Sequence, residues 1–459
     1  MQYLTIWDLV LTPVYLLVLG LIAKRHRDKK YSLGHPLRRY YLPGLYIKFG
    51  GAIFIALVYQ YYYKGGDTFI YFMHSKIINS SLKDSINTWF DLITRTPFTD
   101  NPKVYNYAVQ MEWYVDRSTY TVASLGAIFG LLNGTTYLPI ALLFAFFSYT
   151  GLWAMYRTFT NIYPNLYRQL AIPFLFIPSI AVWGSAIFKD TVCMFGLGWV
   201  TYCTFRIFVN RDFSIKNIAL LLLSFYLVAL IKIYILLAFL PALSLWLLMT
   251  YSKRIKMAVI RWFMNIAFIA VVVAGFFYFA NRFAKELNKY SLENITKTAE
   301  VTRSWIAYSS GEEGSAYSLG EMDGTIEGLL LKAPAGVVVT LFRPFLWEVK
   351  KIIVGLSALE SFLFLSGTLL VVFRTGFFSF FRKIFTNPNL TFFFTFSLIF
   401  AFAVGVSSYN FGALSRYKIP CLPFYAALLI VLYYSKSTKN KMDVQKVNWR
   451  QGRPVLINT

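Results

Sequence analysis

The chain has 459 residues, of which 57% are apolar, 19% aromatic and only 14% charged, with a formal net charge of +24. Apolar runs of about 20 residues recur from end to end and read as spanning helices, which excludes an ordinary soluble domain over any long window. The positive surplus lies in the connections between apolar runs, so it reads as counter-charge for anionic lipid rather than as a nucleic-acid patch.

In chain order, apolar runs place spans near residues 4–23, 46–63, 137–155, 171–187, 191–208, 217–231, 233–250, 262–280, 351–373, 390–407 and 419–434. The expected fold is therefore all-α: a polytopic transmembrane bundle of about 11 spans, whose helices satisfy their own backbone hydrogen bonds. The first run lacks a basic leading region and a small-residue cleavage site, so it reads as a retained helix. Residues 1–45 hold this extra span and a basic loop. A transmembrane core follows over 46–280, with a long loop at 64–136. A second long loop covers 281–350, further spans cover 351–434, and a basic tail covers 435–459.

Alternate connections are strongly basic. Lys24, Arg25, Arg27, Lys29, Lys30, Arg38 and Arg39 follow the first span, and Arg206, Arg211 and Lys216 follow the fifth. Lys253, Arg254, Lys256 and Arg261 follow the seventh, and Arg374, Arg382 and Lys383 the ninth. The two long loops are instead near neutral, with six basic and six acidic residues over 64–136 and eight and nine over 281–350. By the positive-inside rule this predicts an outer N-terminus and a cytoplasmic C-terminus. The run Val122–Leu132, flanked by polar segments, reads as a helix lying on or dipping into the outer surface. Ile78, Trp89, Phe90, Leu92 and Ile93 recur at helical spacing and predict an amphipathic surface helix. The glycine-rich stretches Ser309–Ser315 and 320–324 read as an exposed linker or a gate. Cys193, Cys203 and Cys421, and His26, His35 and His74, are too scattered for a disulfide framework or a metal cluster.

The most informative stretch is Lys64-Gly65-Gly66-Asp67-Thr68-Phe69-Ile70-Tyr71. A carboxylate at a bilayer surface is costly unless water, a partner or a substrate engages it. The same predicted side gathers Lys189 and Asp190, Lys232, Arg343 with Glu348, and Arg416 with Lys418. Singly, each has a bland role as a snorkelling cation, a break between spans or a lipid contact. Together, several cations and a carboxylate suit a phosphate-bearing lipid substrate.

A span running outward, an acidic residue at once, then a long loop of surface helices resembles the start of the GT-C glycosyltransferase fold. The resemblance covers residues 46–210 in architecture. It implies a donor sugar carried on a polyprenyl phosphate, with Asp67 at the first acidic position of the family and Asp190 at the second. Lys189-Asp190 and Ser415-Arg416-Tyr417-Lys418-Ile419-Pro420 are also similar to stretches of bacterial surface-polysaccharide enzymes. The chain departs from the pattern in its extra first span and in Thr68, which stands where a second acidic residue is common; base and divalent-cation dependence stay open.

On this reading Asp67 is the general base and Asp190 orients a cation or the sugar. Lys189, Lys232, Arg343 and Arg416 neutralise the leaving phosphate, and Tyr71 or Trp183 stacks on sugar or lipid. The partners are membrane lipid, a lipid-linked sugar and a glycan, lipid or protein acceptor, with no nucleic acid. Two alternatives stay open: a polysaccharide polymerase or ligase dominated by its arginines, and a non-enzymatic transporter of lipid-linked sugar.

Overall fold

The computed structural model describes residues 3–97, 101–252, 317–320, 328 and 331–435, and the backbone of 447–450 and 453–456. It divides into two units, Met1–Ile233 with Asp443–Thr459, and Tyr234–Met442. The described residues are overwhelmingly helical; the tail adds one antiparallel hairpin, Val447–Arg450 with Arg453–Leu456. Seven described helices are long and apolar enough to cross a membrane, and eight if one bent pair counts as a span.

The first unit contains α1 (Ile6–Lys30), α2 (Arg38–Leu57, continued by a π-helical turn Val58–Tyr62), α3 (Asp67–Ser80), α4 (Ile86–Thr94), α5 (Pro102–Ala108) and α6 (Arg117–Gly130). It continues with α7 (Tyr137–Ile162), α8 (Tyr167–Ala171), α9 (Pro178–Trp183), α10 (Lys189–Thr204) and the start of α11 (Ile215–Ser252). Helices α7 and α10 touch backbone to backbone. A Cβ on Gly198 would lie 2.0 Å from the Gly151 carbonyl oxygen, and one on Gly151 would lie 2.4 Å from that of Phe195. Small residues at such a crossing let apolar helices approach closely without a hydrophobic drive between them.

Between α2 and α7, helices α3–α6 form a layer with its own apolar core, including Ile78, Trp89, Leu92, Val104, Tyr120, Ala123 and Ala127. The starts of α4, α5 and α6 are capped by Ser85, Asn101 and Asp116, which accept from backbone amides two residues on, as short polar side chains do at helix N-termini. Ser75 donates to the Ala123 carbonyl at 2.8 Å and Asn79 to that of Ala127 at 2.9 Å, seaming α3 to α6. Phe90 is exposed while Trp89 and Leu92 are buried, so α4 has the expected two faces. The run at 122–132 lies largely in α6, which has 14 residues. At about 1.5 Å per residue that is roughly 21 Å, short of a bilayer core of about 30 Å.

Two stretches differ from the expected spans. Residues 171–187 are not one helix: Ile177 is extended at φ −67°, ψ 124°, and α9 ends at Trp183. Pro178 explains the break, since a proline pushes its predecessor out of the helical region. The runs 217–231 and 233–250 both fall in α11, which breaks at Lys232 (φ −146°, ψ 76°). The run 262–280 and the stretch Ser309–Ser315 lie outside the described residues.

Charge separates along the first unit. At one end, the buried Asp8 carboxylate accepts from the amides of Thr5 (2.8 Å) and Leu138 (2.7 Å), joining the starts of α1 and α7. Thr68 bonds Tyr137 at 2.7 Å, and Tyr3 stacks on Phe69 at 4.2 Å, so α3 starts there too. The far ends of α1 and α7 and the start of α11 carry Lys30, Arg157 and Lys216, and the latter two each lie within electrostatic reach of Lys30.

The second unit holds the rest of α11 with α12 (Ala333–Phe342), α13 (Ile352–Thr375), α14 (Phe377–Thr386), α15 (Pro388–Ser408), α16 (Phe411–Tyr417) and α17 (Leu422–Tyr434). Thr340 of α12 donates to the Ala401 carbonyl at 2.7 Å. Phe392, Phe396 and Phe400 of α15 pack with Tyr234, Phe239 and Phe424. Helices α16 and α17 meet at a 69° bend.

Candidate functional site

Asp67 is the first residue of α3, half-buried, and follows Gly66 at φ +119°. That backbone region favours glycine, and a Cβ there would also press to 2.8 Å from the Tyr59 ring. The Tyr59 ring in turn lies 5.6 Å from that of Phe188, the residue before Lys189. One aromatic ring therefore bridges the turn that presents Asp67 and the turn that starts α10. The two acidic positions expected from sequence share one end of the first unit.

Lys189 donates to Ser118 at 2.7 Å and pairs with Asp116 at 3.2 Å. Asp116 also caps α6 through Ser118 and accepts from Thr119. Burial works against ionising Asp116, but Thr119, the Lys189 charge and Ser118 outweigh it and hold the carboxyl well below the usual range. Asp190 is fully buried and forms an ion pair with Lys232, itself 7% exposed. The helical break at Lys232 therefore coincides with a buried charge pair to α10. Trp183 is half-buried, 6.3 Å ring to ring from Phe188. Tyr71 is buried and packs 5.7 Å from Trp113.

Arg343 and Arg416 belong to the second unit. The Arg343 guanidinium grips Glu348, with Nε at 3.0 Å from each carboxylate oxygen, and lies 5.2 Å from the Phe411 ring. Burial opposes ionisation of Glu348, and the Arg343 fork with the Phe345 amide outweighs it, lowering its pKa. Ser361 donates to the Arg343 carbonyl at 2.9 Å and accepts from the fully buried Lys418 at 2.8 Å. Lys418 sits at the α16–α17 bend and feels the Glu360 charge. Arg416, on α16, is 8% exposed.

The structure thus brings Asp67, Trp183, Lys189, Asp190 and Lys232 into the first unit and gives Lys189, Lys232 and Arg343 each a carboxylate. Sequence reading missed Asp116, the partner of Lys189; its only local signal is an Asp-Arg-Ser-Thr start to an apolar helix, a capping pattern. It also missed Lys48, in mid-span on α2. Lys48 is 1% exposed and donates to the carbonyls of Ile180 at 3.1 Å and of Gly184. It closes the open C-terminal end of α9, just ahead of the Lys189-Asp190 turn. A lysine in an apolar run was the available clue. His74, buried beside Trp113, has an Nδ1 with no hydrogen-bond partner, and burial lowers its pKa to about 4.

Among the described residues, no group of three or more His, Cys, Asp or Glu side chains is placed to hold a metal ion. No family model, curated protein or solved structure matches this chain.

Proposed function

We propose that the chain is a GT-C-type glycosyltransferase of the bacterial inner membrane, with its N-terminus outside. It moves a sugar from a polyprenyl-phosphate-linked donor to an acceptor hydroxyl on the outer face. The observation that supports this reading is the Tyr59 ring, which packs against Gly66, the residue before Asp67, and lies 5.6 Å from the ring of Phe188, the residue before Lys189. Helix N-termini favour anions, so two of them at one membrane edge, with a partly exposed lysine, suit a phosphate.

In the proposed step the acceptor oxygen attacks the anomeric carbon as the carbon–oxygen bond to the phosphate breaks. The acceptor proton passes to Asp67, and polyprenyl phosphate leaves with the bonding electron pair. Lys189 stabilises that phosphate, with Asp116 and Ser118 holding its ammonium in place. The Asp190–Lys232 pair fixes α10 against α11 behind it. Trp183 offers a half-exposed ring to the sugar.

The test uses the full chain in proteoliposomes with a panel of labelled polyprenyl-phosphate sugars, reading label transfer and release of polyprenyl phosphate. Asp67→Asn should lower transfer by about 10²-fold or more, the span of a lost general base. Full activity in a normally folded variant would remove Asp67 from the mechanism.

A second reading has its own support. The buried Asp190–Lys232 pair at a helix break, and the interrupted segment at 171–188, are features of transporters, in which broken helices carry ionisable groups. Label crossing the bilayer with no transfer to acceptor would favour it.

A further inference from the structure

Helix α14 belongs to none of the spans and to no site described above. It has 10 residues, Phe377–Thr386, and follows α13, a 24-residue helix apolar enough to cross a membrane. At about 36 Å, α13 outreaches a hydrocarbon core of about 30 Å, so α14 begins at headgroup level. Gly376, at φ +81° and ψ 138°, breaks the helical path between the two, in a backbone region that glycine enters without strain.

At 100° per residue, α14 presents three faces. Phe380 and Ile384 are buried, and the Ile384 carbonyl accepts from Thr391 of α15 at 2.7 Å. Phe377, Phe381 and Phe385 recur every four residues, their rings 5.2 and 6.5 Å apart in succession, with Phe378 beside them. Phe377, Phe378 and Phe385 are exposed, Phe378 to 87%. Exposed apolar side chains of α13, among them Leu370 and Phe373, lead up to this point. The third face holds Ser379, Arg382, Lys383 and Thr386.

Cations gather at the same end. Arg374, in the last turn of α13, has its guanidinium carbon 4.3 Å from the Tyr433 ring of α17. Lys383 donates to Ser435, just past α17, at 2.7 Å. The ends of α13 and α17 and the polar face of α14 therefore meet, and Arg382 stands exposed one position before Lys383. No Asp or Glu occurs between Glu360 and Asp443, so this stretch of chain carries cations alone.

We propose that α14 is an interfacial helix that docks on an anionic phospholipid surface. Phe377, Phe378, Phe381 and Phe385 enter the acyl boundary, while Arg374, Arg382 and Lys383 meet the phosphates. Such a helix binds through buried apolar area and attraction to anionic lipid acting together. Charge selects this occupant, because a second copy of the chain would bring the same cations against each other. The helix lies in the second unit, and its docking is independent of sugar transfer.

The test follows one position in the full chain. Phe378→Cys is labelled with a nitrobenzoxadiazole fluorophore, the native cysteines Cys193, Cys203 and Cys421 being buried. The protein is placed in nanodiscs of phosphatidylcholine with phosphatidylglycerol, and either lipid in turn carries an acyl-chain nitroxide. Quenching by both lipids is expected, with phosphatidylglycerol favoured about fivefold or more, the attraction of one cation near an anionic surface. Raised salt should lower that ratio and leave quenching by phosphatidylcholine in place. Arg382→Gln should lower the ratio about threefold, and Arg374→Gln with Arg382→Gln should bring it to about one, with unchanged melting. Arg382→Gln alone, at an exposed position, decides the matter if the double variant misfolds. Lys24→Gln with Arg25→Gln, in the first unit, should leave the ratio unchanged. Access of aqueous iodide without lipid quenching, an equal response to the two lipids, or a ratio unmoved by the arginine variants would overturn the proposal. So would self-quenching between labelled copies without lipid quenching, which would make a second copy the occupant.

Discussion

Asp190 and Lys232 make the sharpest test of how the first unit is held together. The carboxylate is fully buried and the ammonium 7% exposed, so Asp190→Asn strands a positive charge where water barely reaches. Breaking a buried pair from one side costs about 3–5 kcal/mol. That is about two to four orders of magnitude in the folded-to-unfolded ratio, at about 1.4 kcal/mol per tenfold. Lys232→Met strands the carboxylate and should cost a similar amount. The double variant removes both charges and keeps the shapes, so it should return to within about 2 kcal/mol of the parent. The coupling from the double-mutant cycle is then about 3 kcal/mol or more. The assay is reversible unfolding in mixed micelles, followed by helical circular dichroism, on all four proteins. Losses that simply add in the double variant would refute the pairing. Transfer activity separates structure from chemistry: a double variant that is stable yet inactive assigns the pair a role at the site.

Two further outcomes follow from the packing. His74 is buried and neutral, with a folded pKa of about 4 against 6.5 for the free side chain. The unfolded chain therefore binds a proton that the folded one refuses between those values. The stability is fully present above about pH 6.5 and is lost as pH falls toward 4, at up to about 1.4 kcal/mol per unit; His74→Phe should flatten that limb in unfolding midpoints measured against pH. Gly151→Val should drive its new side chain into the Phe195 backbone, 2.4 Å from a Cβ at that position, and cost about 1–3 kcal/mol or more. An unchanged unfolding midpoint would contradict the α7–α10 contact.

Much of the architecture was legible. Long apolar runs announced helices because a membrane-buried backbone has no other partner for its amides. The two faces of α4 were readable from Trp89, Phe90 and Leu92. The run at 171–187 misled because hydropathy does not register what Pro178 does to Ile177. Apart from Arg343 with Glu348, five positions apart, the partners of the charged residues were not legible. Asp116 and Lys189 are 73 positions apart, Asp190 and Lys232 are 42 apart, and Lys48 and Gly184 are 136 apart.

Sequence alone therefore determined the class, the helical segments and the uneven distribution of charge, since these depend on local composition and on the backbone's need for hydrogen bonds. Tertiary structure alone decided which charges meet. Desolvation makes an isolated buried charge costly, so pairing is enforced wherever packing brings opposite groups together, and packing is set by contacts far apart in the chain. That is how Asp190 comes to meet Lys232, and Lys189 to meet Asp116.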